Sequence, residues 1–362
     1  MLANRLFLRF STFMSYSSFR TLGRSGLVVS PLALGTMTFG TQRWGSPDDV
    51  SQAIFDAYVE AGGNFIDTAD VYAGGRSEEM VGRFVADRQL RDQLVLATKF
   101  TWNTAPGNPN AGGNGRKHIY QALEKSLRRL QTDYVDMYWL HAWDQLTPPE
   151  EVLQTLGDLV RAGKIRYFGF SNVPAWYTTK AAILAQVHGV PGPIALQMAY
   201  SLVERNLEHE FRPAALECGL SITPWSPLAA GFLAGKYQPA TSGATGEGRL
   251  MGANPFGNTL FTKRNWEVLE VLRTVAAEAE RPMAQVALAW VLAQPGVVAP
   301  IIGASKLAQL HDNLAALEVR LSPEQLQALQ AGSMPETPFP YGIFTSQISQ
   351  SIFGGNTVRG GH

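Results

Sequence analysis

Asp67, Tyr72, Lys99 and His141 lie at or just past the ends of three successive apolar runs, 63–67, 94–99 and 134–141. An acid, a phenol, an amine and an imidazole gathered at strand ends can form a proton-donating site. The same residues on helix faces would be solvated charges. A phenol with an ordinary pKa of about 10 donates poorly near neutrality unless a cation or an apolar, dipole-lined site adjusts it. Lys99 is expected to supply that cation, with Asp67 keeping the ammonium charged and fixed. Its field would lower the Tyr72 pKa and let Tyr72 protonate an oxyanion developing on a substrate, with His141 as a second donor to that oxygen. The set lacks a nucleophile or hydride, which a nicotinamide cofactor would supply.

Later strand ends fit such a cofactor. Ser171 and Asn172 follow the fifth apolar run, Gln197 ends the sixth, and Trp225 and Ser226 close the seventh. An amide pair and a hydroxyl suit a carboxamide, and an indole suits a flat nicotinamide ring. After the eighth run come Gly303, Ser305 and Lys306, then Gln309, Asp312 and Asn313 at the start of a helix. Helix N-termini after the last strands of a barrel hold phosphates. Ser305 and Lys306 point to a ribose 2′-phosphate, hence NADP(H) rather than NAD. Trp44, Trp102 and Trp143 fall in the intervening loops, where they could line an apolar substrate pocket or mark a protein contact.

These residues need a scaffold of alternating strands and helices. Eight short β-rich runs are expected as strands: 32–34, 64–67, 94–98, 134–140, 165–170, 194–198, 220–224 and 297–301. Between them, Ser46-Pro47-Asp48-Asp49 and Thr147-Pro148-Pro149-Glu150 read as helix starts, the second with capping-box spacing. Ile119, Leu123, Leu127 and Leu130 step along one helix face. No Gly-x-Gly-x-x-Gly turn follows a strand, so the pattern favours an α/β fold of the closed (β/α)8 TIM-barrel kind over a doubly wound sheet. Segment 21–30 reads as an N-terminal β-hairpin plugging the barrel bottom. Segment 236–262 is a long loop on the C-terminal face.

The chain has 362 residues, 45% hydrophobic and 17% charged, with Lys plus Arg equal to Asp plus Glu at 30 each. Composition fits a globular core, and charge balance gives no pull toward nucleic acid or anionic membrane. No run reaches the roughly 18 apolar residues of a membrane span. The single cysteine, Cys218, excludes an internal disulfide and a cysteine-based metal cluster, so no metal is expected and a cytoplasmic, reducing location is. Residues 1–18, with Arg5 and Arg9 and no acid, read as an organelle transit segment or, the favoured reading, as an extension ahead of a true start at Met14. A barrel domain is expected over 19–334 and a tail over 335–362 that is either a pocket flap or disordered.

Taken in order, Gly35-Thr36-Met37, Asp67-Thr68-Ala69-Asp70-Val71-Tyr72, Thr98-Lys99, Leu140-His141, Gly169-Phe170-Ser171-Asn172, Gln197, Pro224-Trp225-Ser226-Pro227-Leu228 and Gly303-Ala304-Ser305 resemble the aldo-keto reductase family over residues 19 to 330. The resemblance implies a (β/α)8 barrel, NADPH extended across its C-terminal rim, Tyr72 as general acid tuned by Lys99 and Asp67, and His141 orienting the carbonyl. It also brings Gly35, Thr36, Met37, Pro227, Leu228, Gly231 and Lys236 to the cofactor, with Arg249 as a strap over the pyrophosphate. Trp102 and Trp143 would meet a small-molecule carbonyl substrate. The run through Gly231 and Gly235-Lys236-Tyr237 resembles the branch of aryl-alcohol-type reductases and potassium-channel β subunits. Channel β subunits have asparagine where this chain has His141, which favours an aldehyde or ketone reductase over an NADPH-sensing subunit. A Schiff-base aldolase using Lys99 is a third reading. Monomer and homo-oligomer are both open.

Overall fold

The computed structural model describes residues 18–42, 44–240, 243–251 and 259–358. The expected N-terminal extension, apart from Ser18, and the middle of the long loop lie outside the described residues. A hairpin of β1 (Arg20–Thr21) and β2 (Val28–Val29) opens the fold. Strands and helices then alternate: β3 (Ala33–Gly35), α1 (Asp48–Glu60), β4 (Phe65–Asp67), α2 (Arg76–Asp87), β5 (Val95–Phe100), α3 (Arg116–Leu130), β6 (Val135–Leu140) and α4 (Pro149–Arg161). They continue through β7 (Ile165–Ser171), α5 (Ala175–His188), β8 (Ala195–Gln197), α6 (Phe211–Cys218) and β9 (Ser221–Ile222). A ribbon of β10 (Tyr237–Ala240) and β11 (Gly243–Gly246) precedes α7 (Lys263–Glu278), α8 (Met283–Leu292), β12 (Ile301–Ile302), α9 (Leu307–Ala315), α10 (Pro323–Gly332) and α11 (Ser346–Ile352).

The strands from β3 to β9 pair in parallel in chain order, with β12 against the open side of β3. Between β9 and β12 the seam closes through a parallel bridge of Ile222 with Val297, a Val298 N–H donating to the Ile222 carbonyl at 3.0 Å, and an Ile301 N–H donating to the Pro224 carbonyl at 2.8 Å. The result is a (β/α)8 barrel. Its last two strands are shorter than expected because Pro224 and Pro300 carry no amide hydrogen, and a regular ladder there breaks into single bonds. The two expected helix starts also differ. Pro47 and Pro148 occupy the caps with no side-chain cap bond, Ser46 pairs with Ser51, and Thr147 donates to Asp144 at 2.6 Å, so no capping box forms.

Strand alternation sorts the core into two layers. Leu34, Ile66, Leu96, Tyr138, Leu140, Phe168 and Leu196 face the helices. Ala33, Phe65, Ala97, Met137, Trp139, Ala195 and Ile301 fill the interior, and Leu22 and Val29 of the hairpin join them from below. The same period carries the interior face upward from Phe65 to Asp67, Ala97 to Lys99, Trp139 to His141, Gly169 to Ser171 and Ala195 to Gln197. The chemistry-bearing residues are thus the top layer of the barrel interior. The tail is mostly exposed and rests on the loop after β8 through Tyr341, which hydrogen-bonds Glu210 and packs on His209.

Interior space is tight at Gly169, where an added Cβ would lie 2.5 Å from both the Ala195 carbonyl oxygen and a Trp139 ring carbon. Gly169→Ala is expected to destabilise the chain by about 1–3 kcal/mol through overpacking, read as a lower urea midpoint with an unchanged slope.

Candidate active site

Lys99 is the centre of the rim. Its ammonium is wholly buried and forms an ion pair with Asp67, donates to the Thr68 carbonyl at 2.8 Å and reaches the Tyr72 hydroxyl at 3.3 Å. The second Asp67 oxygen accepts the Gln197 amide at 2.9 Å. Burial works to lower the Lys99 ammonium, but the attraction of Asp67 and Tyr72 outweighs it, leaving the pKa above its ordinary value. Lys99 therefore stays a cation. The Tyr72 phenol is pushed up by burial, with Lys99 pulling it down and Asp67 pushing it up again. The expected lowering by Lys99 is present, and in the protein alone desolvation exceeds it.

Tyr72 is held by an abrupt turn. Ala73, Gly74 and Gly75 all take positive φ, at 49°, 66° and 98°, before α2 begins at Arg76. That reversal sets the phenol over the barrel mouth. His141 follows β6, with its ring 5.9 Å from the Tyr72 ring and 6.0 Å from that of Trp102, edge to face with both. Burial and the Lys99 charge lower its pKa well below the ordinary value. The imidazole is neutral and has one N–H to give. Trp143 stacks edge-on with Trp176, a residue that sequence reading did not place at the rim. Trp102 and Trp176 are about half exposed, at 49% and 55%, so the mouth is walled by indoles.

On the far side, Asn172 takes φ 51° and uses its amide to join three segments. Its nitrogen donates to the His141 carbonyl and the Ser171 hydroxyl, and its oxygen accepts the Trp225 indole N–H at 3.1 Å. Ser226, Ala229, Ala230 and Gly231 form a run of positive φ that turns the chain back over the rim after β9. Lys236 extends beside it. Gly231 and Gly248 both take positive φ, and a Cβ would lie 3.0 Å from the Lys236 ammonium at Gly231 and 2.6 Å from it at Gly248. Partial burial and the nearby Lys306 lower the Lys236 pKa, and neither lysine has a carboxylate within ion-pair distance among the described residues. Arg249 lies over the Trp44 ring at 4.2 Å and donates to the Met37 sulfur at 3.4 Å. This donor set suits a polyanion.

Several expected cofactor residues also hydrogen-bond within the frame. Thr36 donates its amide to the Asp67 carbonyl beside the Gly35 to Asp67 register, Gln309 accepts from the Ser305 amide and hydroxyl, Asp312 accepts from Gln285, and Asn313 donates to the Gly303 carbonyl. Pro227 and Leu228 lie inside the turn after β9. Behind the rim a second polar cluster joins Asp70, Glu78, Thr98 and Arg129, with Arg129 donating to Glu78 at 2.6 Å. Asp70 was in view within a motif. Glu78 reads in sequence as an ordinary first-turn acid, and nothing local pairs it with Arg129.

The family model described as the aldo/keto reductase family matches residues 31–333. An aryl-alcohol dehydrogenase of Pestalotiopsis microspora is 34% identical over 321 residues, covering 86% of this chain and 81% of that protein. A norsolorinic acid reductase of Emericella nidulans is 36% identical over 344 residues, covering 92% and 86%. An uncharacterised oxidoreductase of Bacillus subtilis is 37% identical over 333 residues, covering 88% and 98%. No helix among the described residues is long and apolar enough to cross a membrane. The chain belongs to the aldo/keto reductase family and is an oxidoreductase acting on carbonyl or alcohol groups.

Proposed function

We propose that the protein reduces small aldehydes or ketones to alcohols with NADPH, using Tyr72 as the general acid. The observation that carries this reading is the Tyr72 hydroxyl 3.3 Å from a buried ammonium that Asp67 and the Thr68 carbonyl hold in place. NADPH bound across this face would supply the hydride. A carbonyl oxygen set between Tyr72 and His141 would receive the proton of Tyr72 as hydride reaches its carbon, and the phenolate left behind would be steadied by Lys99 until solvent reprotonates it. The neutral His141 donates without competing as an acid. The indoles of Trp102, Trp143 and Trp176 suit an aryl substrate and exclude water, in keeping with the names of two relatives, an aryl-alcohol dehydrogenase and a norsolorinic acid reductase. A charged Lys99 weighs against the Schiff-base reading, which needs the free amine.

For the cofactor, Ser171, Asn172 and Gln197 would face the carboxamide and Trp225 the nicotinamide ring. The positive-φ turn, Lys236 and Arg249 would meet the pyrophosphate, and Ser305 and Lys306 the 2′-phosphate. Two cations without carboxylate partners on one rim support NADP(H), as does the relative from Phanerodontia chrysosporium named an aryl-alcohol dehydrogenase with NADP(+).

Tyr72→Phe is expected to keep NADPH affinity within about threefold while cutting turnover on aromatic aldehydes by about 10²–10⁴. Near-normal turnover would remove Tyr72 from the reaction. Lys306→Ala should weaken NADPH about tenfold or more in a fluorescence titration and leave NADH unchanged, as loss of one charge-assisted phosphate contact requires. Equal loss for both nucleotides would count against the 2′-phosphate assignment.

A further inference from the structure

Asp70 has no part in the proton donation above, yet it is among the most enclosed carboxyls in the barrel, 3% exposed. Its backbone N–H donates to the Lys99 carbonyl at 3.2 Å, which ties it to the strand that carries the ammonium. Neither of its carboxyl oxygens has a side-chain hydrogen-bond partner among the described residues, and the donor beside them is the neighbouring Val71 amide. The titratable groups facing it are Glu78 from α2, Arg129 from α3, Lys99 from β5 and Tyr138 from β6. Both cations are already engaged. Arg129 holds Glu78, which is itself wholly buried and accepts from Thr98, and Lys99 holds Asp67.

An ionised Asp70 would be a third carboxylate among two cations in a dry space, where an uncompensated charge is costly. Burial, then the Glu78 charge, push the Asp70 carboxyl up to about 7, against weaker pulls from Arg129, the Val71 amide and Lys99.

We propose that Asp70 is a positioning residue held as the neutral acid behind Lys99, and that its ionisation draws on the Lys99 charge and so tunes the proton donor Tyr72. With Asp70 neutral, Lys99 is directed at Asp67 and Tyr72. With Asp70 ionised, part of that field is cancelled and the phenol gives up its proton less readily. The tuning of Tyr72 rests on the reductase reading, whereas the proton on Asp70 does not.

The test compares the full chain with Asp70→Asn, which keeps the shape and cannot ionise. An unfolded aspartate ionises near 3.9 and the folded one about 7, so between these values the native chain keeps a proton that the unfolded chain has released. Stability from neutral Asp70 is therefore present at low pH and lost as pH rises to about 7. The melting temperature of Asp70→Asn minus that of wild type should grow from about pH 4 to about pH 7 and then level off. A difference that shrinks as pH rises, or one independent of pH, overturns the proposal. The infrared C=O stretch of a buried protonated carboxyl, present in wild type at about pH 5 and lost by about pH 9, reads the same proton should the variant fold poorly. Its absence at the lower pH also overturns it. In the second arm, the alkaline limb of kcat/KM for aromatic aldehyde reduction should move to lower pH by about half a unit or more in Asp70→Asn. Superimposable limbs refute the tuning of Tyr72. The melting comparison needs no turnover, so failure of the reductase reading and failure of this one are separately visible.

Discussion

A charged lysine with no solvent contact is the constraint to which the rest of the rim answers. Placing the Lys99 ammonium and the Asp67 carboxylate in the barrel interior costs several kcal/mol per ion before any attraction between them is counted. That cost is offset only when every polar valence is met. Here the Thr68 carbonyl, the Gln197 amide and the Tyr72 hydroxyl complete the set. Four separate strand ends or turns supply these groups, and only a closed barrel brings them within reach of one another. Fold and site are in this sense one problem. The Gln197 amide reaches Asp67 from β8 to β4 across the mouth.

The electrostatics of the rim divide into a proton side and an anion side. On the first, charges are paired and solvent is excluded, so Tyr72 sits above its ordinary pKa and His141 below its own. On the second, burial and the nearby Lys306 charge lower the pKa of Lys236. A protein that keeps cations in repulsion at an open rim is poised for a ligand that brings the missing negative charge. Preorganised groups of this kind need little rearrangement when charge develops nearby.

Much of this was legible from residue order. The ends of the apolar runs placed Asp67, Lys99 and His141 on one rim, and the eight runs with their intervening helices pointed to the barrel. Long-range partners were not legible. The strand-end position of Gln197 gave no sign that its amide bonds Asp67. Glu78 gave no local signal, and tertiary packing places Arg129 on it. Ser46 and Thr147 had the composition of helix caps, but nearby Ser51 and Asp144 took their hydroxyls. In each case the deciding partner lies in geometry that local spacing does not encode, or a neighbour outcompetes the backbone for the same hydrogen bond.

The central claim, that the Asp67–Lys99 pair is a single buried unit that organises the rim, is tested most directly by a double-mutant cycle on stability. Asp67→Asn, Lys99→Met and the double variant would be compared with wild type by urea denaturation at neutral pH. Each single change should cost about 3–5 kcal/mol by leaving one buried charge alone, and the double should cost clearly less than their sum. Additive costs would mean that the two side chains do not depend on each other, and would contradict the account.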